Sequence, residues 1–178
     1  GQWLGVEDGD THPEFQKTFS LPEKPRSARL YICGLGLFEA YLNGGKAGND
    51  LLTPFLNDYT EHFQYCTYDV TSLLAQDNTL SVLLGDGWYR GHFGLGEPTH
   101  YERPLALIAE LRMEFADGHT ETLCSDSGWQ YRSSFTTLSD IYNGETQDYT
   151  KAPGDWKQPV LIPAPGRLCD RYSSPLHY

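Results

Sequence analysis

Methionine is nearly absent from this 178-residue chain, and basic residues are few. Thirteen lysines and arginines stand against 24 aspartates and glutamates, so the formal net charge is −11. Nucleic-acid binding normally needs a basic stripe, and an anionic membrane surface attracts the same kind of patch. We therefore expect neither nucleic acid nor a membrane as a partner.

Long hydrophobic runs are missing as well. No segment approaches the roughly 20 consecutive apolar residues that a membrane-spanning helix needs. The single methionine is Met113 and the first residue is glycine, so we expect the chain to be a piece of a longer protein. Its length suits one domain of ordinary size with its own hydrophobic core.

Cysteines are scarce and far apart. The four of them, Cys33, Cys66, Cys124 and Cys169, never form a Cys-x-x-Cys pair, which argues against a zinc site. Cys33 and Cys66 lie in strand-like runs and are interpreted as small buried hydrophobic residues. The even number permits disulfides, but a domain of this length does not need them.

Glycine and proline are plentiful, with 18 and 11 residues spread along the chain. They divide it into short segments in which apolar and polar residues alternate, as at Phe38, Ala40 and Leu42. Asn43 and Gly44 then suit a two-residue hairpin turn. The pattern predicts an all-β fold, a β-sandwich or jelly roll over residues 1–178, with one helical turn after residue 69. Residues 151–178, rich in Pro and Gly, are expected to be a return segment that leads to the next domain.

The most informative segment is Leu-Leu-Gly-Asp-Gly-Trp-Tyr-Arg-Gly at residues 83–91. An aromatic face can cover the C–H side of a sugar ring, while Asp and Arg give directional hydrogen bonds to hydroxyls. Alternate residues of an extended loop share a side, so we expect Asp86, Trp88 and Arg90 to face one way. The alternative is that Trp88 plugs the end of the core and that Arg90 pairs with Asp86 or Glu145. The sugar-binding candidates in this loop are Asp86, Trp88, Tyr89 and Arg90, with His92, Phe93, His100 and Tyr101 further along.

Asn49 and Asp50 follow the hairpin in a loop that also carries Asn57 and Asp58. Hard oxygen ligands are what calcium prefers, so Asn49 and Asp50 are candidate calcium ligands. The spacing matches no EF-hand loop, and such side chains also bond their own backbone in turns. The acidic lead-in at residues 7–10 is expected to be a solvated terminus.

Asn143 and Glu145 form a further candidate set, because one intervening glycine would let both side chains point into the same cleft. Glycosidases use two carboxylates at a defined separation, and Asp86 with Glu145 is one conceivable pair. A protein with 24 acidic residues has many accidental pairs, so we do not expect catalysis by this chain alone. Glu145 is expected to tie down a loop or to contact a neighbouring domain.

Several separated motifs, taken in order, resemble the N-terminal β-sandwich domain of bacterial α-L-rhamnosidases. They lie at residues 29–44, 49–54, 58–59, 64–71, 83–91 and 141–145. The resemblance implies a jelly roll of the galactose-binding type that precedes an (α/α)6 barrel holding the catalytic carboxylates for hydrolysis of terminal L-rhamnose. Some domains of this type bind rhamnose with calcium. The chain departs from the family pattern after Glu145, where an Ala-Arg pair is missing.

The resemblance implies an accessory module, non-catalytic alone, that binds an L-rhamnose-containing glycan or shapes the active site. Its partners would be that carbohydrate and the catalytic barrel of the same polypeptide, with calcium as a candidate cofactor. One alternative is a purely structural docking module, favoured by the aromatic-rich and proline-rich segment from Tyr142 to Pro165. The other is a self-contained glycosidase, which would itself release nitrophenol from an aryl rhamnoside.

Overall fold

The protein is an all-β sandwich, as predicted. The structure is a computed structural model, and it describes residues 1–7, 12–92, 94, 96, 104–172 and 174–177. Within those residues the strands are, in chain order, β1 (Trp3–Gly5), β2 (Pro13–Ser20), β3 (Ser27–Leu35), β4 (Leu37–Leu42), β5 (Gly45–Lys46), β6 (Asp50–Leu51), β7 (His62–Asp69), β8 (Asp77–Gly85), β9 (Ala106–Glu114), β10 (Thr120–Cys124), β11 (Gln130–Ser133), β12 (Thr136–Asp140), β13 (Gly144–Gln147), β14 (Val160–Ile162), β15 (Arg167–Asp170) and β16 (Leu176–His177).

Two sheets face each other. Sheet A has the strand order β14-β1-β9-β3-β7-β15, with β10 paired to β9, and sheet B has the order β11-β2-β8-β4-β5. Two small ribbons, β12-β13 and β6-β16, complete the described strands. Pairing among these strands is antiparallel except between β7 and β15, which run parallel.

The core lies between the two sheets, and side chains that point into it alternate along each strand with side chains that point outward. Leu30 and Ile32 of β3 are buried on one side, and Phe38, Ala40 and Leu42 of β4 are buried on the other, as the alternation predicts. Full burial of a side chain such as Leu or Ile contributes about 1.5–3 kcal/mol. Outward residues of the same strands are therefore free to carry polar groups.

The hairpin after β4 has the predicted geometry. Leu42 pairs with Gly45 across the turn, and Asn43 and Gly44 both have positive φ angles, 53° and 80°. Such angles match the right-handed twist of the flanking strands.

Trp129 is fully buried, and its indole nitrogen donates to the carbonyl oxygen of Cys124 at 3.0 Å. Trp156 is half-buried beneath the guanidinium of Arg132, 4.4 Å from the ring centre. The four cysteines are free thiols, and Cys33 and Cys66 are buried as predicted.

Helical structure in the described residues is short. A 3-10 turn at Thr71–Leu73 follows β7, as predicted, and one α-helical turn, α1 (Gly87–Arg90), follows β8. Within the described ranges, no helix has the length and apolar character needed to cross a membrane.

The segment 151–178 returns along the sandwich. Strand β14 pairs with β1, β15 pairs with β7, and β16 pairs with β6. The segment therefore contributes to sheet A, and its continuation into another domain stays a prediction.

Candidate functional site

The glycine-rich motif at residues 83–91 does not form the extended loop expected from sequence. Residues 87–90 make the helical turn α1, which Asp86 immediately precedes. In a helix, side chains four positions apart are neighbours, so Asp86 and Arg90 come together while Trp88 points elsewhere. The expectation that Asp86, Trp88 and Arg90 share one side is thus wrong, because the period is helical and not that of a strand.

Asp86 is contacted by two basic side chains, His12 and Arg90. Its Oδ2 lies 3.1 Å from Nε2 of His12, and its Oδ1 lies 3.5 Å from Nε of Arg90. The imidazole of His12 is buried at the start of β2, and the Asp86 side chain is only 19% exposed. This cluster joins the ends of two neighbouring strands, β2 and β8. Of the two expected partners of Arg90, the structure shows Asp86.

Trp88 and Tyr89 pack inward. Trp88 is half-buried against the core, with its ring 5.3 Å from that of Phe55. Tyr89 is buried, and its ring lies 5.2 Å from Tyr59. Both aromatic rings therefore cover the end of the core. For Trp88 this is the structural alternative to sugar stacking.

A ribbon formed by β12 and β13, termed the 136–147 hairpin, lies against this loop. Asp140, at its tip, accepts hydrogen bonds from the backbone amides of His92 at 2.7 Å and of Tyr142 and Asn143 at 2.9 Å each. The ring Nδ1 of His92 lies 2.9 Å from the same carboxylate, and the side-chain Nδ2 of Asn143 lies 3.2 Å from that ring nitrogen. Asp140 thereby joins the loop after α1 to the hairpin.

Asp140 is ionised in this setting. Its side chain is 5% exposed, and burial alone would raise the pKa. The hydrogen bonds from His92, Asn143 and Tyr142 outweigh burial and hold the pKa of Asp140 well below its usual range. A charged carboxylate is thus the stable form at this junction.

Two glycines of the motif allow the hairpin to approach. A Cβ atom at Gly85 would lie 2.2 Å from Oγ of Ser139, and one at Gly91 would lie 2.5 Å from Oδ2 of Asp140. The backbone amide of Asp86 also donates to the carbonyl oxygen of Ser139 at 3.2 Å. Glycine is needed at both positions because the hairpin passes too closely for a side chain.

A groove of about 400 Å³, termed the hairpin groove, opens between the 136–147 hairpin and the outer side of sheet B. Its floor includes Leu37, Tyr41 and Leu83 from β4 and β8, and Leu52 borders it. Its polar groups include those of Glu39, Ser139, Asp140, Glu145 and Gln147. Such a volume matches the lower range of small-molecule sites, which combine apolar walls with a few polar groups.

The carboxylates of the hairpin groove have partners already in place. Glu39 accepts hydrogen bonds from the Tyr41 hydroxyl at 2.5 Å and from Nζ of Lys46 at 2.7 Å. Glu145 accepts one from the amide of Gln147 at 2.6 Å. These pairs present donors and acceptors side by side, which suits hydroxyl groups.

The two residues of the set Asn143 and Glu145 separate. Glu145 lines the hairpin groove, whereas Asn143 contacts His92 at the tip of the hairpin. The shared cleft expected from one intervening glycine is not formed, because Gly144 begins β13 with a positive φ of 77° and turns the chain.

Asn49 is exposed, while Asp50 is buried among protein partners. Arg171 and the Tyr68 hydroxyl both donate to Oδ2 of Asp50, the hydroxyl at 3.2 Å, and Nδ1 of His177 lies 3.2 Å from Oδ1. Burial raises the pKa of Tyr68, so its hydroxyl stays protonated and donates. The carboxylate thus has a cationic partner within the chain.

The other oxygen donors of that loop serve the backbone. Asn57 accepts a hydrogen bond from the amide of Gln64 at 2.9 Å, and Asp58 accepts one from the amide of Thr60 at 3.1 Å. The hydroxyl and amide of Thr60 lower the pKa of Asp58. Among the described residues, no group of three or more His, Cys, Asp or Glu side chains is arranged to hold a metal ion.

Some candidates lie outside the described residues. These are Phe93, His100 and Tyr101 of the long loop and Asp8, Gly9 and Asp10 of the acidic lead-in.

Sequence reasoning missed the two residues that shape the junction, Asp140 and Ser139. The available signal was a turn pattern, since Asp140 stands three residues before Asn143-Gly144 and caps that turn with its carboxylate. Glu39 and Gln147 gave no signal, because their place in the hairpin groove depends on how the hairpin packs on sheet B.

A family model described as the α-L-rhamnosidase N-terminal domain matches residues 23–164. An α-L-rhamnosidase of Streptomyces avermitilis is 42% identical over 148 residues, covering 82% of this chain and 14% of that protein. The chain therefore spans about a seventh of the length of this relative.

Solved structures agree with the sequence comparison. The structure of Streptomyces avermitilis α-L-rhamnosidase complexed with L-rhamnose superimposes with a TM-score of 0.83 and 32% identity, over 99% of this chain and 18% of that one. The α-L-rhamnosidase from Dictyoglumus thermophilum gives 0.82 and 29%, over 95% and 22%. By sequence and by fold, the chain belongs to the family of α-L-rhamnosidase N-terminal domains.

Proposed function

We propose that this chain is the accessory module of an α-L-rhamnosidase and that it holds an L-rhamnose-containing glycan in the hairpin groove. The observation that carries the proposal is the groove itself, with apolar residues on its floor and paired donors and acceptors on its walls. The relative solved with L-rhamnose supports the choice of sugar. Hydrolysis would be carried out by a separate catalytic domain, in the part of the relatives' length that this chain does not cover.

The groove suits a neutral sugar for a physical reason. Glu39 is neutralised by Lys46, and Glu145 is bonded to an amide, so a hydroxylated ring can exchange hydrogen bonds with these groups without bringing a charge. A methyl-bearing sugar can place its apolar side over Leu37 and Leu83. A monosaccharide offers few contacts, and we expect a dissociation constant of about 1 mM.

Calorimetric titration of the chain with L-rhamnose, with and without calcium, tests binding. We expect saturable heat that weakens at least five-fold in Glu145→Ala. The matched control is Glu121→Ala, an exposed glutamate of β10 outside the groove. Absence of heat at millimolar sugar would leave only a scaffold role, and equal binding by Glu145→Ala would move the sugar elsewhere. A requirement for calcium would support the calcium ligands predicted at Asn49 and Asp50.

A second candidate function is docking onto the catalytic barrel. It is favoured by the exposure of Tyr142 and Tyr149, which are 56% and 71% exposed near the hairpin tip and end. Trp88 and Trp156 are half-buried, so each leaves part of its ring for such a contact. Chemical-shift changes at these four residues on addition of a separately produced barrel would support docking. Their absence would argue against it.

The self-contained glycosidase has less support. Asp86 is engaged by His12 and Arg90, and Glu145 is engaged by Gln147. Nitrophenol release from an aryl rhamnoside by this chain alone would restore that hypothesis.

A further inference from the structure

A second depression lies on the outer side of sheet A, away from the hairpin groove. It is termed the outer-face depression, has a volume of about 400 Å³, and is lined by Tyr31, Tyr65, Ile108, Glu110, Arg112 and Leu168. Strand register explains the grouping. Tyr31 pairs with Glu110 on β9 and with Thr67 on β7, two residues from Tyr65 on the same side of the sheet.

Two tyrosine rings form the aromatic part of the depression. The rings of Tyr31 and Tyr65 lie edge to face, with centres 6.2 Å apart and planes at 60°. Both side chains are partly exposed, and Leu168 and Ile108 border them. Aromatic faces set at an angle make a corner in which the C–H side of a ring can rest.

A charged pair stands at the rim of this corner. Nε of Arg112 donates to Oε1 of Glu110 at 2.5 Å, and the guanidinium lies 5.0 Å from the ring centre of Tyr31. The hydrogen bond from Arg112 holds the pKa of Glu110 below its usual range, so the carboxylate stays ionised. Arg112 is 63% exposed and Glu110 is 26% exposed, so both can reach a ligand.

We propose that the outer-face depression is a second binding site for a neutral saccharide. A pyranose ring would rest its C–H side on Tyr65 and Tyr31, while adjacent hydroxyls would accept from Arg112 and donate to Glu110. Arg112 and Glu110 offset each other's charge, and the second carboxylate oxygen of Glu110 lies 3.7 Å from the amino group of Gly1. A neutral sugar can bond to Glu110 and Arg112 without separating this group of charges. The site lies on the sheet opposite to the one that floors the hairpin groove, so one chain would hold two points of a glycan.

A protein partner fits this surface less well. It would bury the Arg112–Glu110 pair, and removing such charges from water carries a desolvation penalty. Sugar hydroxyls instead replace lost water contacts with directional hydrogen bonds. The proposal rests on the proposed function only in its choice of L-rhamnose as the first probe.

The test is an amide-resolved NMR titration of the chain with L-rhamnose and, separately, with D-galactose. We expect saturable shifts at residues 31, 65 and 108–112 with either sugar. Tyr65→Ala should weaken binding at this face at least five-fold, Tyr65→Phe should retain it, and Tyr142→Ala should have no effect there. Should Tyr65→Ala fail to fold, Arg112→Gln at the exposed rim should give the same loss.

The outcomes separate this proposal from the hairpin groove. Shifts at residues 139–147 without shifts at the outer face would overturn the second site and leave the groove. Shifts at the outer face alone would support the second site and remove the groove. Shifts at neither place would overturn both. Outer-face shifts that depend on protein concentration and occur without sugar would indicate a protein partner and would also overturn the proposal.

Discussion

Asp50 and Asp140 are both carboxylates with almost no exposure, 6% and 5% of the side chain, yet they are stabilised in opposite ways. Asp50 is held by side chains from distant parts of the chain, Tyr68, Arg171 and His177. Asp140 is held chiefly by backbone amides, two of them from its own turn. The difference shows that one junction depends on tertiary packing and the other on local structure.

The largest effect is expected at the Asp50 junction. Arg171→Met should lower the free energy of unfolding by about 3 kcal/mol, because it leaves a buried carboxylate without its cation. Denaturant unfolding measures this loss. Arg167→Met, at an exposed position of β15, is the matched control and should change stability by less than about 0.5 kcal/mol.

The double variant Asp50→Asn with Arg171→Met sharpens this prediction. Removing both charges should recover part of the loss, since an uncompensated buried charge is the main penalty. Recovery of Arg171→Met by added calcium would instead indicate that Asp50 can take a metal ion. If Arg171→Met is as stable as the wild type, the ion pair between Asp50 and Arg171 does not stabilise this junction.

At the second junction, Asp140→Asn should lower the free energy of unfolding by about 2 kcal/mol. The amide keeps one oxygen but places an NH2 group against backbone donors, and hydrogen bonds to a charged group are worth about 1.5–3 kcal/mol. Asp148→Asn is the control, because that partly exposed carboxylate bonds its near neighbours Thr150 and Lys151. Equal effects of the two substitutions would mean that Asp140 does not join loop and hairpin.

The sequence predicted the sandwich because alternation and turn chemistry are local signals. Burial of Phe38, Ala40 and Leu42 and the turn at Asn43-Gly44 needed no knowledge of distant contacts. The helical turn α1 escaped prediction because four residues are too few to show a helical period, and glycines on both sides favoured a loop.

The candidate site was predicted only in part, for a related reason. Residue types singled out Asp86 and Glu145 as candidates, but their partners His12, Arg90 and Gln147 follow from packing that no sequence spacing reveals. The carboxylate of Asp50 has the oxygen atoms expected of a calcium ligand. Its partner Arg171 stands 121 residues away in the sequence, and only the fold brings the two side chains together. Sugar binding at Asp86, Trp88, Tyr89, Arg90, Asn143 and Glu145 stays a prediction for titration to test.

A smaller effect is expected where the hairpin passes over β8. Gly85→Ala should cost about 1–2 kcal/mol, because its Cβ would lie within 2.9 Å of the Cβ and 2.2 Å of the Oγ of Ser139. Adding Ser139→Gly should remove the clash. In a double-mutant cycle, the double variant should therefore be about 1 kcal/mol more stable than the sum of the two single effects predicts. Gly96→Ala is the control, since no atom of the described residues lies within 4 Å of its added Cβ, chain neighbours aside. If the effects of Gly85→Ala and Ser139→Gly on stability simply add, the two positions are not in contact and the hairpin lies further from β8.

The smallest effect is expected when the pH is lowered, at the junction made by Asp140. The folded-state pKa of Asp140 lies below its ordinary value of about 3.9, so its stabilising contribution is complete above that pH and is lost as the pH falls through the folded pKa. The stability gap between wild type and Asp140→Asn should therefore narrow steadily from pH 5 towards pH 2. Denaturant unfolding at half-unit pH steps measures it, with Arg167→Met as a reference whose gap from wild type stays constant. A gap for Asp140→Asn that is unchanged at pH 2 would mean that the substitution acts through shape alone, and the charge of Asp140 would then have no part in joining the loop to the hairpin.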